Sequence, residues 1–99
     1  MSQIRTLEEF YALLPDTGWY LAAGRMVRRA DGDHCCPMVF VARSLGHRID
    51  NPASSLRAAP AIGAEEWIRV EIVDAADFDC APHRDALLKA CNLKERNAK

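Results

Sequence analysis

Apolar residues in this chain change their spacing several times, and each change marks an expected element. Leu7, Phe10, Tyr11 and Leu14 recur at three- and four-residue steps, which places them on one face of a helix. Thr6 and Glu9 make a capping box at its start: the hydroxyl takes an orphan amide of the first turn while the carboxylate reaches back to the cap. The pattern predicts a helix over 6–14, ended by Pro15-Asp16-Thr17-Gly18, because proline cannot continue the ladder and glycine supplies the turn. Trp19-Tyr20-Leu21 and Met26-Val27-Arg28 are short and bulky, and Ala22-Ala23-Gly24-Arg25 between them can reverse the chain. Together they predict a β-hairpin over about 19–29, followed by a loop at Asp31-Gly32-Asp33.

Two later segments fit both regular periods. Over 36–46, Pro37 suits the first helical position, Met38, Val41, Ala42 and Leu45 share a helical stripe, and Gly46 closes it. Val39-Phe40-Val41 is equally a continuous, β-rich strand core. Over 63–77, Ile68, Val70 and Ile72 alternate with Arg69 and Glu71 as in a strand, whereas a helix gathers Ala64, Ile68, Ile72 and Ala75 on a face that also takes in Glu71. Ser54 to Ala59 reads as a short helix stopped by Pro60, and Pro82 to Cys91 as a clearer one with Leu87, Ala90 and Cys91 on a face.

The chain has 99 residues, enough for one modest core and too few for two. A single domain over 1–93 with a charged, frayed tail at 94–99 is expected. Hydrophobic residues at 49% and charged residues at 27% exclude wholesale disorder. A formal net charge of -1 gives the molecule no overall field to attract nucleic acid or an anionic membrane. No apolar run reaches the eighteen or so residues of a membrane helix, and the N-terminal residues run directly into an acidic amphipathic segment, so a cytoplasmic location is expected. In that compartment the four cysteines are reduced rather than a disulfide framework.

The densest chemistry lies at Asp33-His34-Cys35-Cys36-Pro37. A Cys36 thiol at a helix N-terminus beside His34 would have its anion favoured by the dipole and by imidazolium. Alternatively, Cys36 is a small buried side chain beside a helix cap. Cys80-Ala81-Pro82-His83 has a two-residue spacer, so His34, Cys36, Cys80 and His83 form the one set that could chelate zinc. The competing reading makes Pro82 and His83 a helix start, and it is the preferred one, so no cofactor is expected. The carboxylates Asp74, Asp77 and Asp79 lack the glycine and distal glutamate of a calcium loop and read as helix-end solvation. No carboxylate pair, phosphate loop or complete triad can be assembled, which leaves an enzyme as the last choice.

Residues 54–76 have the outline of a helix-turn-helix, with Ala59, Gly63 and Ile72 where that motif takes alanine, glycine and an aliphatic. Pro60 interrupts its first helix, Arg69 stands at a buried position, and Glu65, Glu66, Glu71 and Asp74 would face phosphate. Nucleic acid is therefore the second choice of partner. The first is a protein, or a second copy of the chain, met by a surface that includes Trp19, Arg25, Arg28, Arg29, Trp67 and Glu71.

Trp19, Val27-Arg28, Cys36-Pro37, Ala58-Ala59 with Gly63, Ala75-Ala76-Asp77, and Arg84 with Leu87-Leu88 follow one another along the chain. In this order of segments the chain resembles short uncharacterised proteins of phages, prophages and their bacterial hosts. The chain departs from that pattern at Val39-Phe40-Val41, where small residues are usual, and at Cys80. The resemblance implies a mainly helical fold and no activity. The expectation is thus an α+β, mainly α domain with one hairpin and four to five helices at about 6–14, 37–45, 53–59, 64–77 and 82–92. Its alternative extends the hairpin to a three- or four-stranded sheet through 36–42 and 67–73. The expected role is a non-enzymatic interaction or regulatory module.

Overall fold

The computed structural model describes residues 3–14, 18–22 and 24–97. The expected helix breaker Pro15-Asp16-Thr17, Ala23 in the hairpin turn and the last two residues of the tail lie outside the described residues. Helix α1 (Leu7–Tyr11) begins at its capping box: Thr6 Oγ1 accepts the Glu9 amide at 3.1 Å, and Glu9 Oε1 takes the Arg5 amide, one residue before the cap, at 3.1 Å. It is shorter than the expected 6–14, and residues 12–14 follow it as a turn.

Strands β1 (Trp19–Ala22) and β2 (Arg25–Arg28) form the expected hairpin, with Leu21 opposite Met26 and Trp19 opposite Arg28. A third antiparallel strand, β3 (His34–Cys35), pairs Met26 with Cys35. Strand alternation puts Trp19, Leu21, Met26, Arg28 and Cys35 on one side of the sheet, and Leu21, Met26 and Cys35 are buried there. The other side carries Tyr20, Ala22, Arg25, Val27 and His34, of which none is buried. The β2–β3 loop is closed by Arg28, whose guanidinium donates to both oxygens of Asp31 at 3.0 and 2.7 Å.

Helix α2 (Pro37–Ser44) follows β3 after one residue and corrects the alternative of a strand through 36–42. Pro37, Met38, Val39, Val41 and Ala42 are all enclosed by protein. Only a helix pairs the backbone of such a fully covered segment within itself, and Pro37 at its first position lacks a donor that would go unpaired anyway. Helix α3 (Ser55–Ala61) passes through Pro60, which the sequence reading took as a stop. The ring falls in the last turn, and the bond it deletes belongs to Leu56, a solvent-facing residue.

Helix α4 (Glu66–Asp77) overturns the other strand alternative, 67–73. Ile68, Ile72, Ala75 and Ala76 form its buried face, and Glu71 is accommodated at the flank, where its Oε2 lies 3.4 Å from His83 Nε2. Helix α5 (Arg84–Asn97) runs beyond its expected end at 92. Arg84 donates to the Ala75 and Ala76 carbonyls at 3.1 and 2.7 Å and so caps the C-terminus of α4.

Helix α2 packs against α3, α4 and β2, while α5 packs against β1 and α4. The core between them joins Phe10, Met26, Met38, Ile68, Ile72, Leu87 and Cys91, and among the described residues it holds no buried polar or charged side chain. The chain ahead of α1 is tied in by a parallel bridge between Ile4 and Ala64, with the Gln3 and Ile4 amides both donating to the Gly63 carbonyl.

Gly63 has φ +72, and an added Cβ would lie 2.9 Å from the Gln3 backbone nitrogen. Gly32 has φ +74 with nothing within 4 Å of the same position. In urea unfolding, Gly32→Ala is expected to cost only the backbone term of about 1–2 kcal/mol. Gly63→Ala should cost clearly more, because the bridge to the N-terminal segment must also shift.

Candidate functional site

Two places gather the side chains that the sequence singles out. The first is the N-terminus of α2. Cys36 occupies the N-cap position, where its side chain makes no cap hydrogen bond, and the nearby Val39 and Met38 backbone N–H groups favour the anion. Burial is the larger effect and pushes the thiol pKa up. Desolvation thus outweighs the helix terminus, which favours the reading of Cys36 as a small side chain beside the helix cap over that of an activated thiolate. A pocket of about 240 Å3 opens beside it, bordered by Gly24, Arg25, Cys36, Ser55, Val73 and Asp77.

His34, two residues earlier, does not serve Cys36. It stands on the outer side of β3, where Arg25 Nη1 donates to its Nδ1 at 2.9 Å. His83 faces Glu71, and Cys80 is exposed in the turn before α5. Among the described residues no three His, Cys, Asp or Glu side chains are placed to hold a metal ion. The chelating set His34, Cys36, Cys80 and His83 is thus not assembled, and each imidazole has a different partner, Arg25 for His34 and Glu71 for His83.

The hairpin residues expected at an interface are largely engaged with one another. The Trp19 ring meets Phe40 of α2 edge to face at 4.7 Å between centroids, and the Arg28 guanidinium lies over it at 5.5 Å. Arg29 lies over Tyr20 at 4.8 Å on the opposite side of the sheet. Trp19 is a half-buried border of the core rather than the centre of an open patch.

The second place is the outer side of α4. Trp67 is 46%, Val70 39% and Phe78 57% exposed. With Asp74 they follow one another at steps of three, four and four residues, which makes a single row along the helix ending at its C-cap. The indole is held in place by a 3.0 Å hydrogen bond from Nε1 to Glu65 Oε2. Around this row, residues 65–79 carry six carboxylates, at Glu65, Glu66, Glu71, Asp74, Asp77 and Asp79, and one cation, Arg69. Arg69 is itself committed to Glu66, with bonds of 2.9 and 2.6 Å that hold the carboxyl below its usual pKa.

Sequence reasoning named Trp67 and Glu71 but missed Val70, Asp74 and Phe78 as members of the row. Their signal was the i, i+3, i+7, i+11 spacing, hidden by the near-equal strand reading of 67–73. Comparison of the chain with protein-family models, curated proteins and solved structures finds no match. Among the described residues no helix is long and apolar enough to cross a membrane.

Two outcomes follow for the thiols. A disulfide reagent at about pH 8 should modify exposed Cys80 first, with Cys35 and Cys91 reacting only at the rate of global opening. Burial also pushes the Cys35 thiol up to about 11 from an ordinary value of 9.0. Between those values the folded chain binds more protons than the unfolded one, so stability is whole below about pH 9 and is lost as pH rises toward about 11. Urea midpoints across that range should fall in the native sequence, and fall less in Cys35→Ala.

Proposed function

We propose that this protein is a non-enzymatic interaction or regulatory module, of the phage or prophage kind its motifs resemble, and that it docks a protein partner on the outer side of α4. The observation that carries the reading is the exposed row Trp67, Val70 and Phe78, on a helix whose other face is closed into the core. Large apolar side chains that gather on a surface, rimmed by charge, are the ordinary composition of an interface centre. Trp67 has the character of an anchor: a broad ring, already oriented by Glu65, loses little freedom on contact.

A nucleic-acid partner is less well supported, although α3, the 62–65 turn and α4 do form two consecutive helices. The helix that would enter a groove presents carboxylates, and phosphate would be repelled along its length. An enzyme has still less behind it: the partly buried Cys36 thiol has its pKa pushed up, and neighbouring His34 is engaged by Arg25.

Selection of an unbiased peptide library against the folded protein tests this reading. Enriched peptides are expected to shift the amide resonances of residues 66–78 and to lose binding to Trp67→Ala and Val70→Ser. Both variants should cost about 1 kcal/mol or less in stability, since both side chains are exposed. Enriched peptides that bind these variants unchanged, or that map to another face, would overturn the reading.

A further inference from the structure

Resting on that docking face, we infer that its occupant is a basic amphipathic helix: a segment with leucine-like residues on one side and lysine or arginine flanking them. The apolar row alone would accept many segments. The charge around it is more selective. Residues 65–79 carry a net -5 while the whole chain carries -1, so the rest of the chain is net positive and the excess of negative charge lies on and around one helix. Two cations in contact with this region are committed within the fold. Arg69 is bound to Glu66, and Arg84 caps the Ala75 and Ala76 carbonyls with Asp79 3.6 Å away. Glu66 keeps 71% of its side chain exposed and Asp79 all of it, which leaves carboxylate oxygens open to an incoming cation.

Helix α4 has 12 residues, so its outer side is about 18 Å long. A partner helix of three to four turns lays one apolar stripe along that length, and its basic flanks fall beside the carboxylates. An acidic segment would meet like charge at each turn. A DNA duplex would meet the same repulsion from its phosphates. The electrostatic part of the attraction acts over about 8–10 Å at physiological salt and weakens as salt rises, whereas the Trp67 contact does not.

The test uses the full chain, isotope-labelled, titrated with two synthetic peptides of roughly 15 residues that share one leucine pattern and carry either lysine or glutamate on the flanks. The lysine peptide should shift the amides of residues 66–78, with a Kd that weakens as salt is raised. Trp67→Ala should weaken it by about tenfold, the loss typical of an aromatic anchor. The double variant Glu66→Gln with Asp74→Asn should weaken it several-fold and flatten the salt dependence, while circular dichroism confirms that the fold is kept. Equal binding of both peptides on residues 66–78 would overturn the basic occupant and leave the docking face standing. Lysine-peptide shifts confined to another face, or unaffected by Trp67→Ala, would overturn both. No shift with the lysine peptide up to millimolar, shifts at 66–78 that appear with protein concentration alone, or the same shifts with duplex DNA would each overturn the inference, the last two in favour of a second copy or a nucleic acid.

Discussion

The domain is organised by a helix that is apolar nearly all the way round. Five of the eight residues of α2 are enclosed, and Met38, Val39 and Val41 alone contribute about 1.5–3 kcal/mol each if their burial is complete. Such a helix leaves only a narrow strip, at Phe40, Arg43 and Ser44, toward solvent, so it requires covers in several directions. Strand β2, α3 and α4 are those covers. The hairpin supplies a one-faced sheet, and α3 and α4 supply small-residue and isoleucine faces. Ala58 and Ala59 let α3 approach closely, and Ile68, Ile72, Ala75 and Ala76 seat α4. The fold depends on α2 remaining a helix, because a strand there would expose every second one of these residues.

That constraint also sets the outer surface. Once α4 has turned its isoleucines inward, geometry leaves Trp67, Val70 and Phe78 with no core to enter. The carboxylates of the same helix have no reason to be buried and form the border. Glu71 shows how the boundary is drawn: it lies at the edge of the buried face and is matched there by His83 from the segment before α5. The same helix is thus a core element on one side and a charged, apolar-streaked surface on the other.

The opposite outcome befell the cysteine-rich stretch. Its adjacent thiols, imidazole and proline look like an assembled centre in one dimension, but a strand and a helix meet within them. Cys35 ends β3 facing the core, His34 faces outward to Arg25, and Cys36 stands at the N-cap of α2. Strand alternation alone separates His34 from Cys35, and the change of element at Cys36 completes the dispersal. Residues adjacent in sequence are directed to three different surroundings, and burial then suppresses the reactivity that the helix terminus would have promoted.

Several features followed from local chemistry and were legible without any tertiary contact. The Thr6 capping box, the hairpin centred on Gly24, the helix start at Pro37 and the Leu87–Cys91 face each depend on a few neighbouring residues whose preferences agree. Helix against strand at 67–73 was not decided locally, since Ile68, Val70 and Ile72 satisfy either period. The choice came from α2, which offers a surface that Ile68 and Ile72 can cover together only at helical spacing. The passage of α3 through Pro60 was likewise tertiary, because Ala58 and Ala59 are held against the core and the lost bond lies toward water. The sequence by itself determined which segments carry apolar faces, where they begin, and how much negative charge residues 65–79 hold. Only the tertiary structure decided which apolar residues that charge surrounds, because burial of one face of α4 is what leaves the other exposed.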